Sequence, residues 1–380
     1  MSGPFGIYVH WPFCAAKCPY CDFNSHVRSE IDAQGWATAT ARELAHYAAL
    51  QGAMRPHVTS IFFGGGTPSL MPGAALGTVL EAIAQLWPVA PDVEITLEAN
   101  PASADAARFQ DYRAAGVNRL SLGLQALDDT ALRFLGRLHD VSEALAALKL
   151  AQRLFSRVSI DLIYARAGQS RQAWQDELRR ALALGTEHLS LYQLTIEEAT
   201  PFARRAARGE ALVPPDEQAV ALYACTQELT AAAGRPAYEI SNHAVPGAEC
   251  RHNLVYWRYG AYVGVGPGAH GRLDLADGRV ATHNEKLPER WLDQVKQRGH
   301  GGVATTALSA QEAAEELLLM GLRLSEGVDL EALATRFHWR ADPARLAALA
   351  EAGWVRVLNG RLSVTPPGRL VLNRLISELL

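Results

Sequence analysis

Over the first half of the chain, short runs of β-branched and apolar residues alternate with longer alanine-rich stretches whose apolar positions recur every three or four residues. The runs at residues 6–9, 58–63, 93–99, 119–124, 157–163 and 188–194 read as strands. The stretches at 33–49, 74–86, 104–115, 142–154 and 171–184 read as amphipathic helices. Strand-then-helix units in succession predict an α/β fold with a parallel sheet covered by helices. The six units are too few to close a barrel of about eight. The expected shape is an open, partial barrel whose wide mouth admits a bulky ligand, with functional groups at the carboxyl ends of the strands.

After Gly271 the pattern changes. Residues 272–280 read as a loop, 288–296 as a helix and the glycines within 299–302 as a hinge. From residue 308 come a helix opened by a Ser309/Glu312 capping box, helices at 329–337 and 343–352, and two short strands, 354–358 and 361–365, joined by Asn359-Gly360. Three helices followed by a hairpin predict a winged-helix-like α+β module. The expected organisation is a barrel over residues 1–235, a barrel extension with linker over 236–304, and the C-terminal module over 305–380.

At 380 residues the chain exceeds the roughly 250–300 at which single cores stop growing, so more than one domain is expected. Its net charge of -4 comes without a long lysine or arginine block. The last 75 residues carry eight arginines, no lysine and nine acidic residues. Phosphate contacts need clustered positive charge, so no nucleic-acid partner is expected despite the winged-helix pattern. No apolar stretch approaches the roughly 20 residues of a membrane span, and the amino terminus lacks the pattern of a secretory signal. A cytoplasmic location is expected, where thiols stay reduced. A two-fold homodimer is the commonest default for such a chain.

Cys14, Cys18 and Cys21 follow the first strand in one short loop, spaced C-x3-C-x2-C. A four-iron cluster normally takes one cysteine per iron, so three leave one iron open to a ligand that is not protein. The competing reading is a structural zinc site completed by His10 or His26, although the usual second pair of cysteines is missing. Disulfides fit poorly with an odd count of five cysteines, of which Cys225 reads as a buried apolar residue in a helix. At the same predicted rim stand Gly64, Gly65, Gly66 and Thr67 after the second strand, Glu98 at the end of the third, Gln125 after the fourth and Asp161 in the fifth. Alone, the glycines read as a tight turn and the polar residues as solvated strand ends; their common rim behind the cysteine loop gives them weight.

The cysteine spacing, with Tyr20 before the last cysteine, and the GGGTPS run at 64–69 resemble the radical SAM superfamily. The resemblance implies a partial (β/α)6 radical SAM barrel. It also implies a [4Fe-4S] cluster whose open iron is chelated by the amino and carboxylate groups of S-adenosyl-L-methionine. Electron transfer from the reduced cluster then cleaves a carbon–sulfur bond and yields a 5′-deoxyadenosyl radical. The likeness narrows to the oxygen-independent coproporphyrinogen III oxidase group through YVHWPFCAAKCPYCDFNSH at 8–26, TLEANP, RLSLGLQALDD, SIDLIY and HNLVYWRYGAYVGVGPGAHG at 252–271. By position, it implies that Tyr8, Gly65 and Glu98 contact S-adenosylmethionine. Tyr20, Gly66, Thr67, Gln125, Arg137 and Asp161 are implied to line the neighbouring pocket, where the group's oxidases hold a second one. The chain departs from the group after SIDLIY, where Ala165-Arg166-Ala167-Gly168 replaces a Gly-Leu-Pro-Gly turn.

The group's oxidases carry a further cysteine two residues after the third; this chain has Asp22 and Phe23. In that respect it resembles the group's heme-chaperone branch, which implies heme as ligand and acceptor hemoproteins as partners. Membrane-bound acceptors would be met only by peripheral contact, and oxidative decarboxylation of a tetrapyrrole is the alternative. The residues of HNLVYW suggest a heme clasp, with His252 as axial ligand, Tyr256 and Trp257 as flat walls, and Arg251 and Arg258 for the propionates. The bland reading of this segment is a packed strand or turn. His270 and Cys250 are rival ligands that rank below His252.

Overall fold

The computed structural model describes residues 3–53 and 55–380. Among them, eleven strands form one curved sheet. They are β1 (Phe5–Trp11), β2 (Val58–Gly65), β3 (Val89–Ala99), β4 (Arg119–Gln125), β5 (Arg157–Tyr164), β6 (His188–Gln193), β7 (Asn242–Ala244), β8 (Ala261–Val265), β9 (His270–Leu275), β10 (Gly278–Asn284) and β11 (Gly302–Ala307). The order is β11-β10-β9-β8-β1-β2-β3-β4-β5-β6-β7. From β1 to β6 the strands lie side by side and parallel in chain order, as expected of the six units. The edge strands β7 and β11 do not pair, so the barrel stays open.

The covering helices are α1 (Ala33–Leu50), α2 (Gly73–Leu86), α3 (Ala106–Ala115), α4 (Val141–Leu154) and α5 (Arg171–Leu182). Asp32, Asp105, Asp140 and Ser170 cap α1, α3, α4 and α5 by accepting a backbone N–H with the side chain, each such cap contributing about 1 kcal/mol. These helices press buried residues such as Leu76, Ile83, Leu148 and Trp174 onto outward strand positions such as Ile7, Ile61, Leu97 and Leu122. Because strand side chains alternate, the opposite face is polar: Ser60, Thr96, Arg119, Ser159, His188 and Ser190 are all buried there. The barrel interior is thus a lined polar space, and alternation alone puts Glu98 and Asp161 into it.

Three expectations need correction, and one strand was not foreseen. Residues 272–280 are not a loop but most of the β9–β10 hairpin, closed at Ala276-Asp277. The YVGVG run is a seventh parallel strand, β8, added beside β1 with Phe5 opposite Ala261 and Val9 opposite Val265. The glycines at 299–302 are packed rather than hinged: a Cβ on Gly301 would stand 2.1 Å from Trp291, and the Gly301 N–H donates to Glu43 at 2.7 Å. Glu43 also accepts from Gly266 N–H, Trp291 Nε1 and Asn284 Nδ2, fastening α1 to the turn after β8. The HNLVYW segment is neither strand nor turn. It is a helix, Arg251–Trp257, packed against β1, β2 and β8.

The C-terminal module has its own apolar core, including Leu318, Leu333, Leu362 and Leu375. The Ser309/Glu312 capping box opens its first helix, Ala310–Gly321, as expected. Asn359 and Gly360 both have positive φ, 51° and 75°, which the tight turn between Val355–Leu358 and Arg361–Val364 requires. The sequence reading missed the short strand Val328–Asp329 and the last helix, Leu372–Leu379, whose Leu372, Leu375, Ile376 and Leu379 share one buried face. Glu316 joins module to barrel by accepting from Tyr259 Oη at 2.7 Å and pairing with Arg272 at 2.6 Å. No described helix is long and apolar enough to cross a membrane.

Candidate functional site at the barrel mouth

The loop after β1 brings Cys14, Cys18 and Cys21 to the carboxyl ends of the strands as free, half-buried thiols. They line one side of a cavity of about 490 Å³. Lys17 Nζ ties the loop by donating to the Phe23 and Ser25 carbonyls at 3.3 Å. Thr67 Oγ1 donates to Cys14 Sγ at 3.4 Å, and Arg137 Nη1 to Cys18 Sγ at 3.5 Å. Burial pushes the Cys14 and Cys21 thiols up from their ordinary value, a cost that coordination to iron would remove. Among the described residues, no three His, Cys, Asp or Glu side chains converge as a mononuclear site requires. Both ring nitrogens of His10 are engaged, by Tyr8 Oη at 3.0 Å and the Asn24 carbonyl at 2.8 Å. Three separated thiols around one cavity fit a multi-iron cluster better than the zinc alternative.

The glycine run has two separate jobs. Gly65 sits at φ +112°, and a Cβ there would strike the His10 ring at 2.5 Å. A Cβ on Gly66 would stand 2.7 Å from the Phe13 carbonyl, because Gly66 N–H donates to Trp11 O and Thr67 N–H to Phe13 O. The run is therefore pressed against the entry to the cysteine loop, which explains the glycines sterically. Its chemical consequence is at Gly65, whose N–H donates to Glu98 Oε2 at 3.2 Å.

Glu98 faces the cavity from the end of β3. Burial first, and the nearby Asp161 second, push its carboxyl up to about 8. An ammonium or amine donor placed beside it would favour the charged carboxylate and offset that shift. Asp161 accepts from Ser121 Oγ at 3.1 Å, and burial raises its pKa as well. A register shift near the end of β4 delivers Gln125 at φ 67°, with its buried Oε1 lacking a protein partner. Arg137 donates to the Gly123 carbonyl at 3.2 Å and keeps a buried, unpartnered Nε. Tyr20 lines the same cavity, its ring 6.4 Å from Phe202.

A second, inner cavity of about 200 Å³ lies below the first. Glu98, Ser121, Asp161 and Tyr192 line both, so the two meet at that level. Tyr8 belongs to the inner one. Ser121, Ser190 and Tyr192 are wall residues that the sequence reading passed over; the signal was their two-residue spacing from Arg119, Gly123 and His188 along β4 and β6.

His252 lies at the inner cavity with both ring nitrogens engaged by protein groups. It is 1% exposed, with Nδ1 bonded to Ser60 Oγ at 3.0 Å and Nε2 to Tyr256 Oη at 2.7 Å. Burial lowers its pKa to about 3. Arg251 pairs with Asp92 at 2.9 Å and Arg258 with Glu326 at 2.8 Å, both at the surface. Cys250 is buried and donates to Glu94 at 3.5 Å. This helix closes the floor of the barrel: His252, Asn253 and Tyr256 line the inner cavity, and Trp257 packs against a small apolar cluster with Tyr238 and Leu324. His270 alone of the three rivals is exposed.

In the departing turn, Ala165 takes φ 57°, the left-handed conformation a glycine adopts freely, and Gly168 takes φ 69°. Buried Arg166 pairs with Glu177, to which Gln169 also donates at 3.1 Å. The turn keeps a left-handed residue at its first position without the glycine.

The comparisons with known proteins agree with this geometry. The radical SAM superfamily model matches residues 8–181, and the HemN C-terminal domain model matches 308–371. The heme chaperone HemW of Escherichia coli is 43% identical over 73% of this chain and 72% of its own. That of Mycobacterium tuberculosis is 36% identical over 99% and 95%. The mitochondrial radical S-adenosyl methionine domain-containing protein 1 of Bos taurus is 41% identical over 88% and 75%. The solved structure of coproporphyrinogen III oxidase (HemN) from Escherichia coli superposes with a TM-score of 0.84, at 24% identity, over 100% of this chain and 90% of that one; it shows the shared fold. The family implies a [4Fe-4S] cluster and S-adenosylmethionine. The thiol loop, the open polar barrel and the relatives together make this chain a member of the radical SAM superfamily, a HemN-like protein of the HemW kind.

Proposed function

We propose that this chain is a heme chaperone, binding heme and passing it to acceptor hemoproteins. Cys14, Cys18 and Cys21 would hold the cluster, which when bound supplies an electron-transfer centre with one open coordination position. Tyr8, Gly65 and Glu98 would meet S-adenosylmethionine beside it, Glu98 accepting from its amino group. Gly66, Thr67, Tyr20, Gln125, Arg137 and Asp161 would shape the neighbouring pocket. The unpartnered Gln125 Oε1 and Arg137 Nε support that assignment, since buried polar atoms without partners await a ligand. Residence in the cytoplasm goes with this reading, because a reducing compartment keeps the three thiols available.

The observation that carries the proposal is Phe23. It occupies the position where the group's oxidases have a further cysteine, and it stands 59% exposed at the cavity wall. An aromatic ring cannot replace a thiol, and an exposed one offers apolar surface to a flat ligand. The HemW relatives support the same reading by name. Reconstituted protein should bind hemin and hand it to an apo-hemoprotein, read by the appearance of the acceptor's spectrum. Formation of protoporphyrinogen IX from coproporphyrinogen III, with reductant and S-adenosylmethionine, would overturn the proposal in favour of the oxidative alternative.

A further inference from the structure

The cysteine loop is hung from the barrel on two sides of its last thiols. Pro19, between Cys18 and Cys21, accepts from the Phe202 N–H at 2.9 Å, just beyond β6. Past Cys21, Asn24 reaches toward the other wing of the sheet, its Nδ2 donating to the Pro267 and Lys286 carbonyls at 2.9 Å each. Its Oδ1 accepts from His26 Nε2 at 3.1 Å, and its backbone carbonyl accepts from His10 Nε2 at 2.8 Å. Both amide hydrogens, the amide oxygen and the main-chain oxygen of this one residue are therefore engaged. The contacts of Lys17 and the His26 N–H bond to Pro12 O at 2.7 Å, by contrast, close the loop on itself.

The wing is built to receive that side chain. Strand β8 runs parallel to β1, and two antiparallel steps make β10 run the same way, so Pro267 and Lys286 follow carboxyl strand ends at the rim that carries the thiols. Gly268 N–H donates to Glu285 O at 2.8 Å and Asn284 N–H to Ala269 O at 3.0 Å, which clips the two turns together. Gly266 and Gly268 adopt φ 98° and 73°. A Cβ on the first would stand 2.5 Å from the His10 carbonyl, and one on the second 2.7 Å from Asn24 Nδ2. The turn thus presses on the loop as closely as glycine permits. Buried Glu43 fixes the turn from behind by accepting the Gly266 N–H at 2.7 Å. On the other side His10 carries the constraint into the barrel, because its Nδ1 accepts from Tyr8 Oη and its ring lies against Gly65.

We propose that Asn24 is a positioning residue for the cluster: by fastening the cysteine loop to the β8 and β10 turns, it sets where the three thiols stand relative to Gly65 and Glu98. The inference rests on the cluster that the family implies and is independent of the heme reading. Only an amide of this length fills the role, since it supplies two donors for the carbonyls and one acceptor for His26. Aspartate has the same size but would set a carboxylate against two carbonyl oxygens. Glutamine carries the same groups one methylene too far. The β8–β10 wing lines none of the cavities described, and this contact gives it a part in the site.

The test uses the full chain, reconstituted with iron and sulfide without oxygen, as parent, Asn24→Asp, Asn24→Ala, Asn24→Gln and the exposed remote control Asn373→Asp. Circular dichroism of each variant confirms folding. The readouts are the rate of iron loss to a chelator, the midpoint potential of the cluster and the affinity for S-adenosylmethionine. The aspartate and alanine variants should lose iron about 10-fold faster, as expected when support behind metal ligands is removed, with a shifted potential and weaker S-adenosylmethionine binding. Glutamine should restore part of each, and Asn373→Asp should match the parent. If the alanine variant does not fold, the aspartate and glutamine variants decide. Folded Asn24 variants that keep the parent's iron retention, potential and S-adenosylmethionine affinity, even at a lower melting temperature, overturn the proposal. A parent that assembles no cluster overturns it together with the assignment of the thiols.

Discussion

The mouth and the floor of the barrel are built from the same kinds of residue and differ in how far those residues satisfy one another, the floor pairing its histidine and charges while keeping Thr96 Oγ1, His188 Nδ1 and one Glu94 oxygen without hydrogen-bond partners. At the floor, His252 has both ring nitrogens bonded. Glu94 faces Arg119 and Arg157 and accepts from Arg251 N–H at 2.8 Å. At the mouth, three thiols are free, Glu98 has a lone backbone donor, and Gln125 and Arg137 keep unpartnered atoms. Polar residues that satisfy one another stabilise the fold, whereas those left unsatisfied at a cavity wall mark where a ligand completes the structure. Residue type alone would have ranked His252 above Gln125; the partners reverse that order.

Changing Cys14, Cys18 or Cys21 to Ser tests the contrast most severely. A hydroxyl is a poor ligand for iron, so each variant should lose the brown cluster absorbance and its bound iron while the apo chain melts as the parent does. Glu98→Ala should leave iron content unchanged and weaken S-adenosylmethionine binding by about 10- to 100-fold, the weight of one hydrogen bond to a charged group, as read by calorimetry. The same carboxyl predicts a pH effect. Its folded value of about 8 lies above the ordinary 4.5, so between these the folded chain holds more proton than the unfolded one. Its contribution to apo-protein stability is complete below pH 4.5 and is lost as pH rises through 8. Unfolding free energies from denaturant titrations should fall across that window, by up to about 1 kcal/mol per pH unit, and Glu98→Gln should flatten the slope.

His252→Ala sharpens the comparison from the other side. It should cost about 2–3 kcal/mol in unfolding free energy, because Ser60 and Tyr256 lose their buried partner. Unaltered stability would break the distinction between floor and mouth. The smallest effect is expected at Ala165, where replacement by Gly relieves a left-handed alanine and should raise stability by about 1 kcal/mol, measured by thermal unfolding.

What was legible along the chain follows from short-range physics. Apolar periodicity, the Ser309/Glu312 capping box and the Asn359-Gly360 turn revealed the six parallel strands, their helices and the C-terminal hairpin, because each depends on neighbours a few residues apart. The cysteine spacing and the glycine run were legible for the same reason, since one loop holds all three thiols. The β9–β10 hairpin carried a local signal that was passed over, Asp277-Gly278 between two short alternating runs. The addition of β8 beside β1 was invisible because the partners lie more than 250 residues apart. Periodicity likewise put polar residues on one face of each strand without saying which would meet a partner. Tertiary structure decided that, by burying the Arg251–Trp257 helix in the barrel floor and by bringing Asn24 to the Pro267 and Lys286 carbonyls. A side chain's chemistry depends on what fills its remaining valences, and those neighbours arrive from distant parts of the chain.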